Sequence, residues 1–180
     1  DLYINQLEEL LEYLSVDEVI LYGSSMGAPI AINFANLHSS KVLAVGLQVP
    51  LVNSDSILLK FMQFPIIGNF ILRVVGIPFA KRRAEQWVQE DPKQKEFIDR
   101  YIQQLVLPGT EQSILSSIRN IANKNYMPSY LSFSKTTIPL HIAYAIDDNE
   151  IDPKTVEDVL NVIPRTESFT FSGGHGGGST

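Results

Sequence analysis

Gly23-Ser24-Ser25-Met26-Gly27 constrains this chain more than any other stretch. With Gly and Ser each near ~7% of residues, about one random chain in twenty of this length would hold the G-x-S-x-G pattern by chance. The flanking residues give it weight. Val19-Ile20-Leu21-Tyr22 in front is an apolar, strand-like run. Residues 28–35 behind it read as a buried helix. The sequence therefore predicts a strand, a sharp glycine turn and a helix.

The turn has a steric logic. A side chain stands clear of a strand-to-helix junction only if the backbone turns very tightly, which forces the central residue into a sparsely populated φ/ψ region. Gly23 and Gly27, placed symmetrically about Ser25, are expected to let strand and helix approach without a Cβ clash. Ser24 lacks that symmetry and is the poorer candidate nucleophile. The helix would begin beneath Ser25, where free N–H groups and the positive dipole end favour a developing negative charge. The Met26 N–H is the expected first donor of an oxyanion hole. Pro29 falls in the first helical turn, where a missing N–H costs little.

The chain has 180 residues, enough for one domain with a core. Hydrophobic residues at 44% and charged residues at 19% are a globular balance, not a disordered one. The formal net charge is −6, and Lys81-Arg82-Arg83 is the one basic cluster. We expect no nucleic-acid partner, and place that triplet on the solvated face of a helix. The chain has no cysteine, which excludes a disulfide framework and thiolate metal sites and leans towards a cytoplasmic location. It begins at Asp1 rather than Met, so a processed or missing start stays open.

Apolar residues at helical spacing over residues 2–14 predict a first helix. Residues 42–47 form a second apolar strand, closed by Pro50. Short apolar runs alternating with helices predict an α/β fold with a parallel, doubly covered sheet. From residue 55 to 135 no strand pattern is visible, and eight Pro and Gly residues punctuate helical segments. The clearest segment runs over residues 92–107, with Phe97, Tyr101 and Leu105 at four-residue steps. Thr110 is the expected cap of the next helix, which runs towards Ala122. The organisation is thus a core of residues 1–54 and 136–180 interrupted by a helical cap of 55–135. Strands return over residues 139–146 and 168–171, with a helix over 154–162 between them.

A serine hydroxyl at neutral pH needs a base within hydrogen-bond reach, and the base needs an orienting carboxylate. Later strand ends supply Asp148 and then His175. Asp147 is the alternative acid, because adjacent residues of an extended segment point opposite ways. Asp152, before Pro153, is better read as a turn residue or helix cap. His38 closes a helix and His141 lies within a strand, so both are read as structural.

These motifs together resemble the α/β-hydrolase superfamily of the kind with a helical lid. "LEELLEYLSVDEVILYGSSMG" is similar to the family's helix, strand and nucleophile elbow. "IPLHIAYAIDD" is similar to the strand that presents the acid, and "SGGHG" to the histidine loop. The resemblance covers both ends of the chain and implies Ser25 as nucleophile, His175 as general base and then acid, and Asp148 as orienter. A serine nucleophile implies cleavage of an ester, thioester, amide or C–C bond through an acyl-enzyme, with no cofactor. Members of the family usually have about eight strands, whereas this sequence shows four. The loop that normally donates the second oxyanion N–H has no counterpart here, and only five residues follow His175. A fragment lacking the N-terminal part of the fold is therefore expected.

Residues 57–79 are rich in Ile, Leu, Phe and Val, but Lys60, Arg73, Pro65, Gly68 and Gly76 interrupt them. The run falls short of the ~20 apolar residues needed to span a bilayer. Cap helices packed on the core, a lid lining an acyl pocket and a lid touching a membrane surface are the three readings of this stretch. The functional expectation is an esterase-like serine hydrolase acting on a small, fairly apolar acyl substrate. The alternative is a non-catalytic binding protein of the same fold, or an inactive fragment. A four-stranded sheet also leaves a raw edge, which predicts a partner or self-association.

Overall fold

The computed structural model describes residues 2–54, 56–90, 93 and 95–175. It divides into two compact units, one made of Asp1–Ser54 with Lys124–Thr180 and the other of Asp55–Asn123.

The first unit is built on a parallel sheet in the order β1-β2-β3-β4. Its strands are β1 (Val19–Ser24), β2 (Val42–Gln48), β3 (Leu140–Ala145) and β4 (Glu167–Phe171). The helices are α1 (Leu2–Tyr13) and α2 (Gly27–Leu37) before β2, with a later pair flanking β3. Period-two alternation sorts each strand's side chains. Leu21, Val45, Leu47, Leu140 and Ile142 are buried on one face. Ala28, Ile32, Phe34 and Ala35 of α2 are fully buried, each apolar side chain of Phe or Ile size contributing roughly 1.5–3 kcal/mol.

The other face differs from the doubly covered sheet expected of alternating strands and helices. Ile20, Tyr22 and Phe169 are exposed there, with the His141–Glu167 pair at 3.1 Å. Parallel strands are normally buried on both sides. None of this unit's described helices covers this side.

The second unit contains helices α3 (Ile57–Met62), α4 (Pro65–Ile71), α5 (Ile77–Glu90), α6 (Lys95–Gln104) and α7 (Thr110–Ser117). A π turn, Leu72–Gly76, joins α4 to α5 without a break. Pro78 is the second residue after it. Proline has no N–H for the helical ladder and crowds the preceding turn, and a π turn is one way to absorb that conflict. A second π turn, Ile118–Ala122, ends the unit's helices. Met62, Leu72 and Leu115 form its core.

Three expectations for this middle region are corrected. The buried stripe of α6 contains Ile98 and continues to Leu105, while Phe97 is exposed and Tyr101 points largely outwards. Phe97 and Ile98 are neighbours, so either could have led the four-residue series; packing chose the β-branched one. The expected start of that helix at Pro92 lies outside the described residues. Thr110 does not cap α7: it is the first helical residue, Gly109 precedes it at φ 91°, and the Thr110 hydroxyl donates to the Gln104 carbonyl at 2.7 Å. Residues 127–133 form helix α8 (Met127–Phe133), which belongs with the sheet rather than with the helical insertion. Tyr130 and Phe133 are fully buried, and the Asn36 side chain of α2 donates to the Ser129 carbonyl at 2.9 Å. The Arg165 guanidinium donates to the carbonyls of Ser134 and Phe133 and sits 5.9 Å from the Phe133 ring centre. The boundary therefore falls near residue 123, not 135.

The remaining helix, α9 (Pro153–Val162), joins β3 to β4. Asp152 is its N-cap and accepts from the Lys154 N–H at 3.0 Å, as the Asp-Pro pair predicts.

Candidate active site

The turn after β1 places Ser25 at φ 49°, a left-handed conformation that L-residues rarely adopt. Three backbone bonds over-determine it. The Ser25 N–H donates to the Gln48 carbonyl at the end of β2, at 3.0 Å. The Ser25 carbonyl accepts from the N–H groups of Ala28 and Leu51, both at 3.1 Å. Strain at a functional position persists only when the surroundings hold it in this way.

The two glycines do different work. A Cβ on Gly23 would lie 2.6 Å from the Gly27 carbonyl oxygen, a contact no side chain tolerates. A Cβ on Gly27 would meet nothing within 4 Å. Gly23 is therefore the steric requirement of the turn. The expectation that both glycines clear a clash holds for the first and not for the second.

Met26 is the N-cap of α2, at φ −62° and ψ −19°. Its N–H has no hydrogen-bond acceptor among the described residues. It lies at the positive end of an 11-residue helix, where donors are available to an incoming anion.

β3 delivers the two neighbouring carboxylates Asp147 and Asp148 just past its end, and β4 leads into the Gly173-Gly174-His175 loop. The structure brings Ser25, His175 and Asp148 into one line. His175 Nε2 is 3.0 Å from Ser25 Oγ. His175 Nδ1 is 2.8 Å from Asp148 Oδ2. The Asp148 side chain is only 3% exposed and that of His175 18%, so the pair is largely shielded from water. The other Asp148 oxygen accepts from the N–H groups of Glu150 and Ile151, at 2.8 and 3.0 Å. With one oxygen occupied by the backbone, the second is fixed towards the imidazole. A carboxylate on Nδ1 holds that nitrogen as the donor and leaves Nε2 to accept the serine proton. Glu150 Oε2 stands 4.0 Å from Nε2, on the exposed side.

Asp147 has a separate role. It accepts from the N–H groups of Gly173, at 3.1 Å to one oxygen and 3.2 Å to the other, and of Gly174 at 3.0 Å. Those bonds, Gly174 first, hold its carboxyl below the usual aspartate range. Gly173 and Gly174 take φ of 121° and 64°, which only glycine adopts freely. Asp147 thus ties down the loop that carries the histidine. Sequence reasoning weighed it only as the alternative acid; the Gly-Gly pair in front of His175 was the available signal.

Reasoning from sequence also missed Gln48. Its carbonyl anchors Ser25, and its side chain accepts from the Tyr22 hydroxyl. Backbone bonds of this kind leave no trace in residue type. His38 sits at the end of α2, 3.5 Å from Glu8, and His141 pairs with Glu167; neither lies in the serine line.

No protein-family model and no curated protein sequence matches the chain. Solved structures do match it by shape. A carboxylesterase from the ammonia-oxidizing thaumarchaeon Nitrososphaera gargenis superposes with a TM-score of 0.69 at 16% identity, over 96% of this chain and 63% of its own. A bromoperoxidase from Bacillus anthracis gives a TM-score of 0.72 at 15% identity, over 96% and 66%. A thermophilic esterase from Thermogutta terrifontis gives 0.68 at 18% identity, over 96% and 63%. The chain has the α/β-hydrolase fold. It spans about 63% of the length of such structures, with four parallel strands of the sheet and their flanking helices.

Proposed function

We propose that this chain carries the serine-nucleophile machinery of a carboxylic ester hydrolase. The observation that supports this most is the unbroken line from Ser25 Oγ through His175 to Asp148, at 3.0 and 2.8 Å. In this reading His175 Nε2 removes the Ser25 proton as Oγ attacks the substrate carbonyl. Asp148 stabilises the imidazolium that forms. The Met26 N–H donates to the oxyanion. His175 then protonates the leaving alcohol; water attacks the acyl-enzyme as the same histidine takes its proton, and that proton passes to Ser25 Oγ as the acyl–Oγ bond breaks and the acid leaves.

The substrate class we favour is a small, fairly apolar acyl ester, on the strength of the many apolar side chains between β2 and β3. The helical unit's position in the chain, inserted between those strands, supports the role of a cap. A non-catalytic role keeps one specific support: Met26 is the single oxyanion donor identified, and one donor is worth roughly 3–4 kcal/mol of transition-state stabilisation.

A fluorophosphonate probe tests the proposal. Labelling of wild type at Ser25, abolished in Ser25→Ala, together with hydrolysis of p-nitrophenyl butyrate, is the expected result. A folded protein that neither labels nor turns over the ester would overturn it and favour the binding role.

A further inference from the structure

Charge is distributed unevenly between the two units. Residues 55–123 hold nine Lys and Arg against seven Asp and Glu, and the rest of the chain holds five against thirteen. The net −6 of the whole chain therefore hides a cationic helical unit. Within it, residues 56–84 contain Lys60, Arg73, Lys81, Arg82 and Arg83 and no acid at all.

The same segment carries the densest exposed apolar surface. On the continuous helix of α4, the π turn and α5, Ile66, Phe70 and Val74 recur at four-residue steps. Phe79 follows five residues later, across the π turn. Their exposures are 85%, 65%, 56% and 60%. Phe61 and Phe64 extend the surface towards Lys60, and both are more than half exposed. Soluble proteins rarely present so contiguous an apolar surface unless it meets a partner. Arg82 stands three residues after Phe79, on the same side of the helix by spacing. Arg73 pairs with Glu111 at 2.6 Å and is not counted.

An apolar face alone would fit many partners. A cationic segment without an acid of its own, on a chain that is otherwise strongly acidic, selects one that is both apolar and anionic. We propose that residues 57–83 form a docking surface for an anionic lipid bilayer. The helix lies in the plane of the interface. Ile66, Phe70, Val74 and Phe79 enter the acyl boundary, and Arg82 reaches the headgroup phosphates. Insertion is peripheral, since no described helix is long and apolar enough to cross a membrane. The surface does not rest on the Ser25 chemistry, although it draws on the apolar stretch that suggests the substrate class.

Sedimentation of the 180-residue chain with lipid vesicles tests this directly. Binding should be about tenfold or more stronger to phosphatidylcholine vesicles containing about 30% phosphatidylserine than to phosphatidylcholine alone. Raising NaCl to about 0.5 M should remove most of that difference. Phe70→Ser and Arg82→Glu should each weaken binding by about tenfold, with circular dichroism unchanged. Failure of wild type to bind anionic vesicles, or equal binding to both lipids, overturns the proposal. So does a folded Phe70→Ser protein that still binds vesicles while losing turnover of a soluble ester, which would make the apolar row part of an acyl site.

Discussion

Asp147 and Asp148 are adjacent in sequence but serve opposite ends of one loop. Asp148 Oδ2 faces His175 Nδ1 at 2.8 Å, while Asp147 grips the Gly173 and Gly174 N–H groups that lead to that histidine. One carboxylate contacts the imidazole and the other holds the backbone that carries it. The two should therefore fail differently.

Asp148→Asn should lower the rate of ester turnover by about 10³–10⁴-fold, because an amide no longer enforces the correct tautomer. Asp147→Asn should cost about tenfold or less, since an amide oxygen can still accept from a backbone N–H. Steady-state kinetics on p-nitrophenyl butyrate separates them. Equal losses would show that Asp147 also acts on the imidazole.

Stability against pH gives a second handle on Asp147. Its folded pKa lies below the ordinary 3.8, lowered by the bonds from Gly174 and then Gly173. A depressed carboxyl stabilises the fold above its unfolded pKa, and that contribution disappears as pH falls through the folded value. The difference in Tm between wild type and Asp147→Asn should be present at neutral pH. It should narrow as pH drops below 3.8. A gap that widens in acid would contradict the assignment.

The two glycines of the turn predict opposite outcomes for the same substitution. Gly23→Ala drives a methyl group into the Gly27 carbonyl, a backbone atom that cannot step aside, and should cost at least about 3 kcal/mol or prevent folding. Gly27→Ala meets open space at the first position of α2 and should be neutral or stabilising by up to about 1 kcal/mol. Urea denaturation of the two variants measures both.

Tyr130 offers a test in the core. Its side chain is fully buried on α8, and its hydroxyl has no partner among the described residues. Burial pushes its pKa far upward, as expected of a phenol far from water. Removing an unpaired buried hydroxyl relieves a desolvation penalty of about 1–3 kcal/mol. Tyr130→Phe should therefore leave the Tm unchanged or raise it. A marked fall would show that the hydroxyl is bonded.

Much of this fold was legible in local pattern. Val19–Ser24 and Leu140–Ala145 follow from short apolar runs, and Pro153–Val162 from an Asp-Pro start. Ser25, Asp148 and His175 could be named because their order and flanks limit the choices. Residues 55–135 were harder. Their helices are polar on one side and apolar on much of the other, so periodicity alone could not say which of Phe97 and Ile98 turns inward. It also could not show that α8 leaves the helical unit to pack against α2. That choice rests on Asn36, Ser129 and Arg165, partners distant in sequence.

The sequence by itself pointed to a tight turn holding Ser25 between a strand and a helix, because a glycine on either side of it sits between an apolar run and a helical one. It determined the order of serine, acid and histidine as well. Only the tertiary structure shows which of Asp147 and Asp148 lies against the His175 imidazole. In an extended segment they point apart, and which one meets the imidazole depends on how β4 returns its loop across the end of β3. It alone also tied the Ser25 backbone to Gln48 and Leu51, since such bonds form between main-chain atoms that every residue shares.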